Sequence, residues 1–279
     1  MAQRLLAVYA HPDDESFGSG GTIATCAADG VEVTLVCATR GEVGEIADES
    51  LATPETLPQV RERELRSAAD ALGIGEVIFL GYRDSGMAGT DDNEDPNALI
   101  KASEEEVVSA LVEIMRKKKP HVVLTFEPGG GYGHPDHMAI SRHTLLAVQA
   151  AGDGQRFPDR GEPWNVSRLF YAVFTRGRMT AMRDQLAAVG QDTSRFDRRL
   201  AEGHGWPDGE THVDMDVSAH VEAKWAALRS HRTQQGTFTL FSRLPEDVAK
   251  RLMSLEAFAL ALPEVAPETR FSGLFDGLP

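Results

Sequence analysis

The chain is poor in cysteine: Cys26 and Cys37 are the only two in 279 residues, and no Cys-x-x-Cys pair exists. A thiolate zinc site is excluded, and both thiols read as buried and inert, the common fate of a free cysteine. Basic residues are also scarce, 28 Lys and Arg against 43 Asp and Glu, for a formal net charge of −15. Phosphate backbones are recognised by basic patches, so a nucleic-acid partner is not expected. No apolar run is long enough to span a bilayer. The first residues, Met1-Ala2-Gln3-Arg4, run into a strand pattern without a signal-peptide profile, which predicts a cytoplasmic location. No internal repeat or low-complexity tract is present.

What the chain does have is a hydrophobic fraction of 42%, enough for a substantial core. Short β-rich apolar runs alternate with helical patterns. Strands are predicted at Leu5–Ala10, Glu32–Ala38, Val77–Leu80, Val122–Phe126 and Leu169–Phe174. Helices are predicted at 18–29, 59–72, 104–119, 135–151 and 179–189. Continuous Val/Ile/Leu strands between helices predict an α/β fold, a Rossmann-like, mostly parallel sheet with helices on both faces. The expected organisation is a single domain over 1–279, with 196–279 as a less regular C-terminal elaboration. That elaboration is expected to hold a strand at 212–217 and helices at 221–230 and 246–261. Two long acidic loops, 41–58 and 83–97, follow strands and read as lids or binding loops.

The most informative segment is Ala10-His11-Pro12-Asp13-Asp14-Glu15, at the exit of the first strand. Tyr132-Gly133-His134-Pro135-Asp136-His137 stands in the equivalent place beyond Val122–Phe126. Ligands gather at the carboxyl ends of strands in open α/β sheets, so the two clusters are expected to meet. Catalytic zinc takes three protein ligands from His and Asp/Glu and keeps one position open. His11 and Asp14 are three apart, as are His134 and His137, and Pro135 suits the first turn of a helix. Spacing alone leaves open which of Asp13 and Asp14 is a ligand and which a base, and whether His134 ligates.

His-Pro-Asp-Asp-Glu with a downstream His-Pro-Asp-His resembles the LmbE-like / PIG-L family of zinc-dependent N-deacetylases. Arg61-x-x-Glu64-Leu65 with Ala68-Ala69 and Leu72-Gly73 is similar to that family's first long helix. Arg83-Asp84-Ser85-Gly86-Met87 and Gly131-Tyr132-Gly133-His134 resemble the branch acting on GlcNAc conjugates in low-molecular-weight thiol metabolism. The resemblance runs from about Leu5 to Ala151, with a weaker echo at 224–234. It implies His11, Asp14 and His137 as ligands of one Zn2+, with Fe2+ as an alternative ion. It implies Asp13 as general base, Tyr132 as a hydroxyl donor to the oxyanion, and His134 as a cation that protonates the departing amine. Asp136 would orient His134 and hold its proton, while Arg61 and Asp84 would contact substrate. The implied reaction removes acetyl from a GlcNAc conjugate of the GlcNAc-malate or GlcNAc-inositol type. A thiol S-conjugate amidase is the near alternative, and a sugar-binding protein without turnover a more distant one. A homo-oligomer fits the resemblance.

Other residues carry less. Glu15 reads as a support or local cap, Glu42 as structural or near the site, and His231 as a lesser site candidate. His121, His143, His204, His212 and His220 have no partner pattern. Gly18-Ser19-Gly20-Gly21 opens a helix after the first strand, but its spacing does not fit a dinucleotide fingerprint. Those glycines read instead as permitting close helix packing. A two-metal phosphoesterase would need more ligands than the clusters supply.

Overall fold

The computed structural model describes residues 2–236, 241 and 243–278. Seven strands form one sheet: β1 Arg4–Tyr9, β2 Glu32–Cys37, β3 Glu76–Phe79, β4 Val122–Phe126, β5 Arg168–Val173, β6 Val213–Asp216 and β7 Leu255–Leu262. Their order is β3-β2-β1-β4-β5-β7-β6. The first five run parallel, with Tyr9 opposite Cys37 and Ala7 opposite Leu124. β7 pairs antiparallel with β5, and β6 antiparallel with β7. The chain order reverses between β1 and β4, where an open α/β sheet leaves a crevice for ligands.

Strands buried on both faces need apolar residues at every position, and β1 shows it. Leu6, Val8 and Ala10 join one core layer; Leu5, Ala7 and Tyr9 join the other. The first layer is closed by α4 (Glu104–Lys118) and α6 (Pro135–Ala151), through Val107, Leu111, Met115, Ile140 and Ala147. The second is closed by α2 (Gly20–Ala28), α3 (Leu57–Leu72) and α9 (Val221–Ser230), through Ile23, Leu65, Leu72 and Ala227. Helix α4 carries three glutamates in its first turn and Arg116, Lys117 and Lys118 in its last, matching the helix dipole. Cys26 and Cys37 are free and buried in the second layer. Burial pushes the Cys26 thiol up to about 12, so it stays protonated. Among the described residues no helix is long and apolar enough to cross a membrane.

The structure corrects two sequence expectations. The helix foreseen at 18–29 is α2, which starts at Gly20, and a short helix that was not foreseen, α1 (Asp14–Gly18), precedes it across a break at Ser19. The Ser19 hydroxyl binds the Glu15 carbonyl and Tyr9 Oη, which holds the break in place. The helix foreseen at 246–261 ends as α10 (Glu246–Met253), and the remainder is β7. Leu, Ala and Glu favour helix, but Ala257, Phe258 and Ala259 are buried by pairing with β5, and burial overrides intrinsic propensity. Besides these, α5 (Gly130–Gly133) is a single turn, and α7 (Arg176–Ala188) precedes α8 (Ser194–Ala201), which the periodicity had not foreshadowed.

The glycines at the start of α2 do serve close packing. A Cβ on Gly21 would lie 2.3 Å from Val217 Cγ2. The approach matters because Glu256 on β7 receives the N–H groups of Gly21 and Thr22, 2.9 and 2.8 Å away, and pairs with buried Lys224 at 2.7 Å. A carboxylate at a helix N-terminus is favourable, and here it joins the C-terminal strand to the helix behind the first cluster.

Candidate metal-dependent active site

Both clusters sit in the crevice at the switch point, as the sequence predicted. His11 follows β1, and His134 and His137 follow β4; all three imidazoles are buried. The ring centres of His11 and His137 are 5.1 Å apart, and His134 lies 4.6 Å from the first and 5.0 Å from the second. Phe126, the last residue of β4, stacks flat on His137 at 3.9 Å and fixes its plane.

Hydrogen bonds settle which nitrogen of each ring is free. His137 Nδ1 is 3.1 Å from the Gly130 carbonyl, an acceptor only, so Nδ1 carries hydrogen and Nε2 is open. His11 Nε2 faces the carboxylates of Asp136 (3.1 Å) and Asp84 (3.4 Å), so that nitrogen is protonated too. The remaining nitrogens, His11 Nδ1 and His137 Nε2, point at each other across 3.1 Å. Asp14 closes the figure, with Oδ2 3.5 Å from His11 Nδ1 and Oδ1 3.3 Å from His137 Nε2. Two lone pairs and a carboxylate facing one point require a positive charge between them. A tetrahedral zinc with bonds of about 2.0–2.1 Å spaces its ligands about 3.3 Å apart, and these three edges match that spacing.

The electrostatics agree. Burial alone would lower His11, but the carboxylates of Asp84, Asp136 and Asp14 outweigh it and hold the imidazole well above its usual range. Burial would likewise raise Asp14, yet His137 and His11 hold it well below the usual carboxylate range. The surrounding carboxylates thus favour positive charge in the pocket, and a metal bound there would displace the proton from His11. Carboxylates behind a ligating imidazole fix its tautomer and raise its basicity, the arrangement common around protein-bound metals.

Asp13 is set apart from this triangle. Its backbone φ is 122°, a conformation L-residues rarely adopt, at the N-terminus of α1. Burial and the neighbouring Asp14 and Glu15 carboxylates push its carboxyl up to about 6, against the opposing pull of Arg61 and His231. A carboxylate of that basicity is matched to proton transfer near neutrality.

Several expectations about the surrounding residues change. Arg61 is not on an open wall: it is 3% exposed, and its guanidinium donates to the carbonyls of Gly41 and Pro12 and to Asp13 Oδ2 at 3.3 Å. Its guanidinium is taken up by Asp13 and by the two carbonyls. Asp136 does not aim its carboxylate at His134. The carboxylate accepts from the Ser85 N–H and hydroxyl and from His11, while only its backbone N–H reaches His134 Nδ1, at 3.2 Å. His134 therefore caps α6 with Nδ1 as acceptor, which leaves hydrogen on Nε2. Burial, together with positive charge on His11 and His137, pushes His134 down to about 4, below its usual range. Tyr132 is 49% exposed, its ring 5.1 Å from that of His137 and 6.0 Å from that of His134, at the mouth of the site. Asp84 is buried against His11 and accepts from the Gly86 N–H.

Ser85, Phe126 and the Gly130 carbonyl were not singled out as site residues by sequence, and the pairing of Glu15 with His231 was not foreseen. Ser85 lay inside a recognisable segment, while Phe126 and the Gly130 carbonyl carry no local signal. Glu42 links the two acidic loops by accepting the N–H groups of Arg40 and Asp84. His121 and His212 accept backbone N–H groups away from the site.

The comparisons with known proteins agree with this geometry. The family model described as "PIG-L: GlcNAc-PI de-N-acetylase" matches residues 6–148, which is 143 of the 279 residues. The 1D-myo-inositol 2-acetamido-2-deoxy-alpha-D-glucopyranoside deacetylase of Rhodococcus jostii (strain RHA1) is 38% identical over 99% of this chain and 98% of its own length. The protein of the same name from Streptomyces scabiei (strain 87.22) is 37% identical over 100% and 91%. Among solved structures, an N,N'-diacetylchitobiose deacetylase from Pyrococcus horikoshii has a TM-score of 0.64 at 24% identity, covering 93% of this chain and 84% of that one, a likeness of fold. Fold, site and relatives define an α/β hydrolase that acts on the C–N bond of an N-acetyl group. The chain belongs to the PIG-L family of de-N-acetylases.

Proposed function

We propose that this protein removes the acetyl group from a GlcNAc conjugate with an inositol aglycone, using one zinc ion held by His11, Asp14 and His137. The observation that carries the reading is the donor triangle, 3.1 to 3.5 Å on each edge, with a separate carboxylate of raised pKa beside it. The substrate class rests on the full-length relatives, both named for a GlcNAc-inositol deacetylase. When bound, the metal supplies Lewis acidity, polarising the acetyl carbonyl and acidifying a water.

The chain's own residues account for the protons. Asp13 takes one from the attacking water as the C–O bond forms. His134, neutral and with hydrogen on Nε2, donates a hydrogen bond to the carbonyl oxygen as negative charge develops there. Tyr132 adds its hydroxyl from the mouth. Asp13, now protonated, returns its proton to the amine nitrogen as the C–N bond breaks. Acetate and the free amine leave, and Asp13 ends as it began. A cationic His134 is not needed in this sequence.

The test is acetate release from GlcNAc-inositol, GlcNAc-malate and N-acetylglucosamine after chelation, with Zn2+ or Fe2+ restored. Metal-dependent release that is fastest on GlcNAc-inositol is the expected outcome. Faster release from GlcNAc-malate would move the aglycone. No release from any of them by metal-loaded protein would move the reaction to another amide.

A further inference from the structure

We propose that His231 is a positioning residue for Asp13, acting through Glu15. The inference rests on the reading of Asp13 as the base and adds to it a residue 216 positions beyond Glu15 in the chain, outside the region the family model covers.

His231 is completely buried, and its Nε2 lies 2.8 Å from Glu15 Oε1. Glu15 is equally buried, and its other oxygen accepts the N–H of Asp13 at 3.0 Å. That N–H belongs to the residue with φ of 122°. A strained conformation of this kind costs about 1–3 kcal/mol and persists only where its surroundings hold it. Arg61 holds the neighbouring Pro12 carbonyl and the Asp13 carboxylate from one side. Glu15 holds the Asp13 nitrogen from the other. A buried carboxylate must have its oxygens met by hydrogen-bond donors. Here those donors are the Ser16 hydroxyl, the Asp13 N–H and His231. Among the described residues, the Nδ1 atom of His231 has no hydrogen-bond partner. Among those residues the hydrogen bond of its ring goes to Glu15.

The turn that follows keeps His231 in place. Thr233 donates through its N–H (2.8 Å) and its hydroxyl (2.6 Å) to Glu64, and Gln234 Nε2 donates to the Glu45 carbonyl at 2.7 Å. Glu64 lies on α3 three residues beyond Arg61, so one helix registers both sides of the Asp13 clamp. The weak sequence echo at 224–234 thereby gains a physical role.

The experiment compares zinc-loaded full-length protein carrying His231→Leu, His231→Gln, Asp13→Asn and the double variant Asp13→Asn/His231→Leu. Acetate release from GlcNAc-inositol gives kcat and KM, and zinc content is measured alongside. A misplacement of about 1 Å costs about 100-fold in rate. His231→Leu is expected to lower kcat by that order while KM and zinc content stay within about twofold. His231→Gln, whose amide nitrogen occupies the place of Nε2, is expected to recover most of the loss. In the Asp13→Asn background His231→Leu should add nothing to the residual rate. Unchanged kcat in His231→Leu, with Asp13→Asn inactive, overturns the proposal. So does a full additive loss in the double variant. Full kcat in Asp13→Asn would instead overturn the reading of Asp13 as base. If His231→Leu fails to fold, Glu15→Gln takes its place. A kcat loss in it at constant KM and zinc content supports the proposal, and full kcat overturns it.

Discussion

The N-terminal half and the C-terminal third of this molecule contribute in opposite ways. Residues 6–148 carry every side chain assigned to the chemistry, in two short clusters at the ends of β1 and β4. The segment from α9 to β7 carries none of these side chains, yet it surrounds them. His231 reaches Glu15, Thr233 reaches Glu64, and Glu256 receives the start of α2. A reacting site can be written in a few adjacent residues because strand ends converge there. The groups that hold it steady come from wherever the fold brings backbone close.

The largest way to break this division is at the base. Asp13→Asn removes proton transfer and is expected to lower kcat about 10²–10⁴-fold, with zinc content unchanged by metal analysis. Loss of the metal together with activity would place Asp13 in the ligand set. Next is the support from the far end of the chain. Glu256→Ala leaves Lys224 buried and unpaired and takes the carboxylate from α2, so about 3–5 kcal/mol of stability should be lost in denaturant titration. An effect below 1 kcal/mol would mean that the C-terminal strands are dispensable to the first cluster.

A smaller effect sharpens the boundary between ligand and support. Asp136→Asn keeps the shape but removes the charge behind His11, and zinc affinity measured by competition with a chelator should fall about 10–100-fold. An unchanged affinity would assign His11's orientation to Asp84 instead. The smallest expected change is at the packing seam. Gly21→Ala places a methyl against Val217 and should cost about 1–3 kcal/mol in thermal unfolding, with kcat intact in the folded protein. A neutral substitution there would show that the seam yields.

The parallel core and the pairing of the two clusters were legible in the sequence, since continuous apolar strands and turn-borne His and Asp residues are local signals. β7 was not legible. Its Leu/Ala/Glu composition fits a helix, and pairing with β5 outweighed propensity. The partners of Arg61 were not legible for a related reason: an arginine on a helix looks free until its carbonyl partners, Gly41 and Pro12, are seen. The family resemblance implies a cationic His134, with Asp136, two residues away, to hold its proton. In space, that carboxylate turns to Ser85 and His11, and the helix start takes up the imidazole nitrogen.

The sequence by itself determined the fold class, the place of the site and the residue types that meet there, because strand periodicity and motif position are properties of the local chain. Tertiary structure decided protonation, orientation and support. Which nitrogen of His11 faces Asp14, why Asp13 is basic, and how His231 comes to stand behind it depend on burial and on contacts between residues far apart in the chain. Electrostatic energies in a buried site are set by distance in space, which residue order does not record.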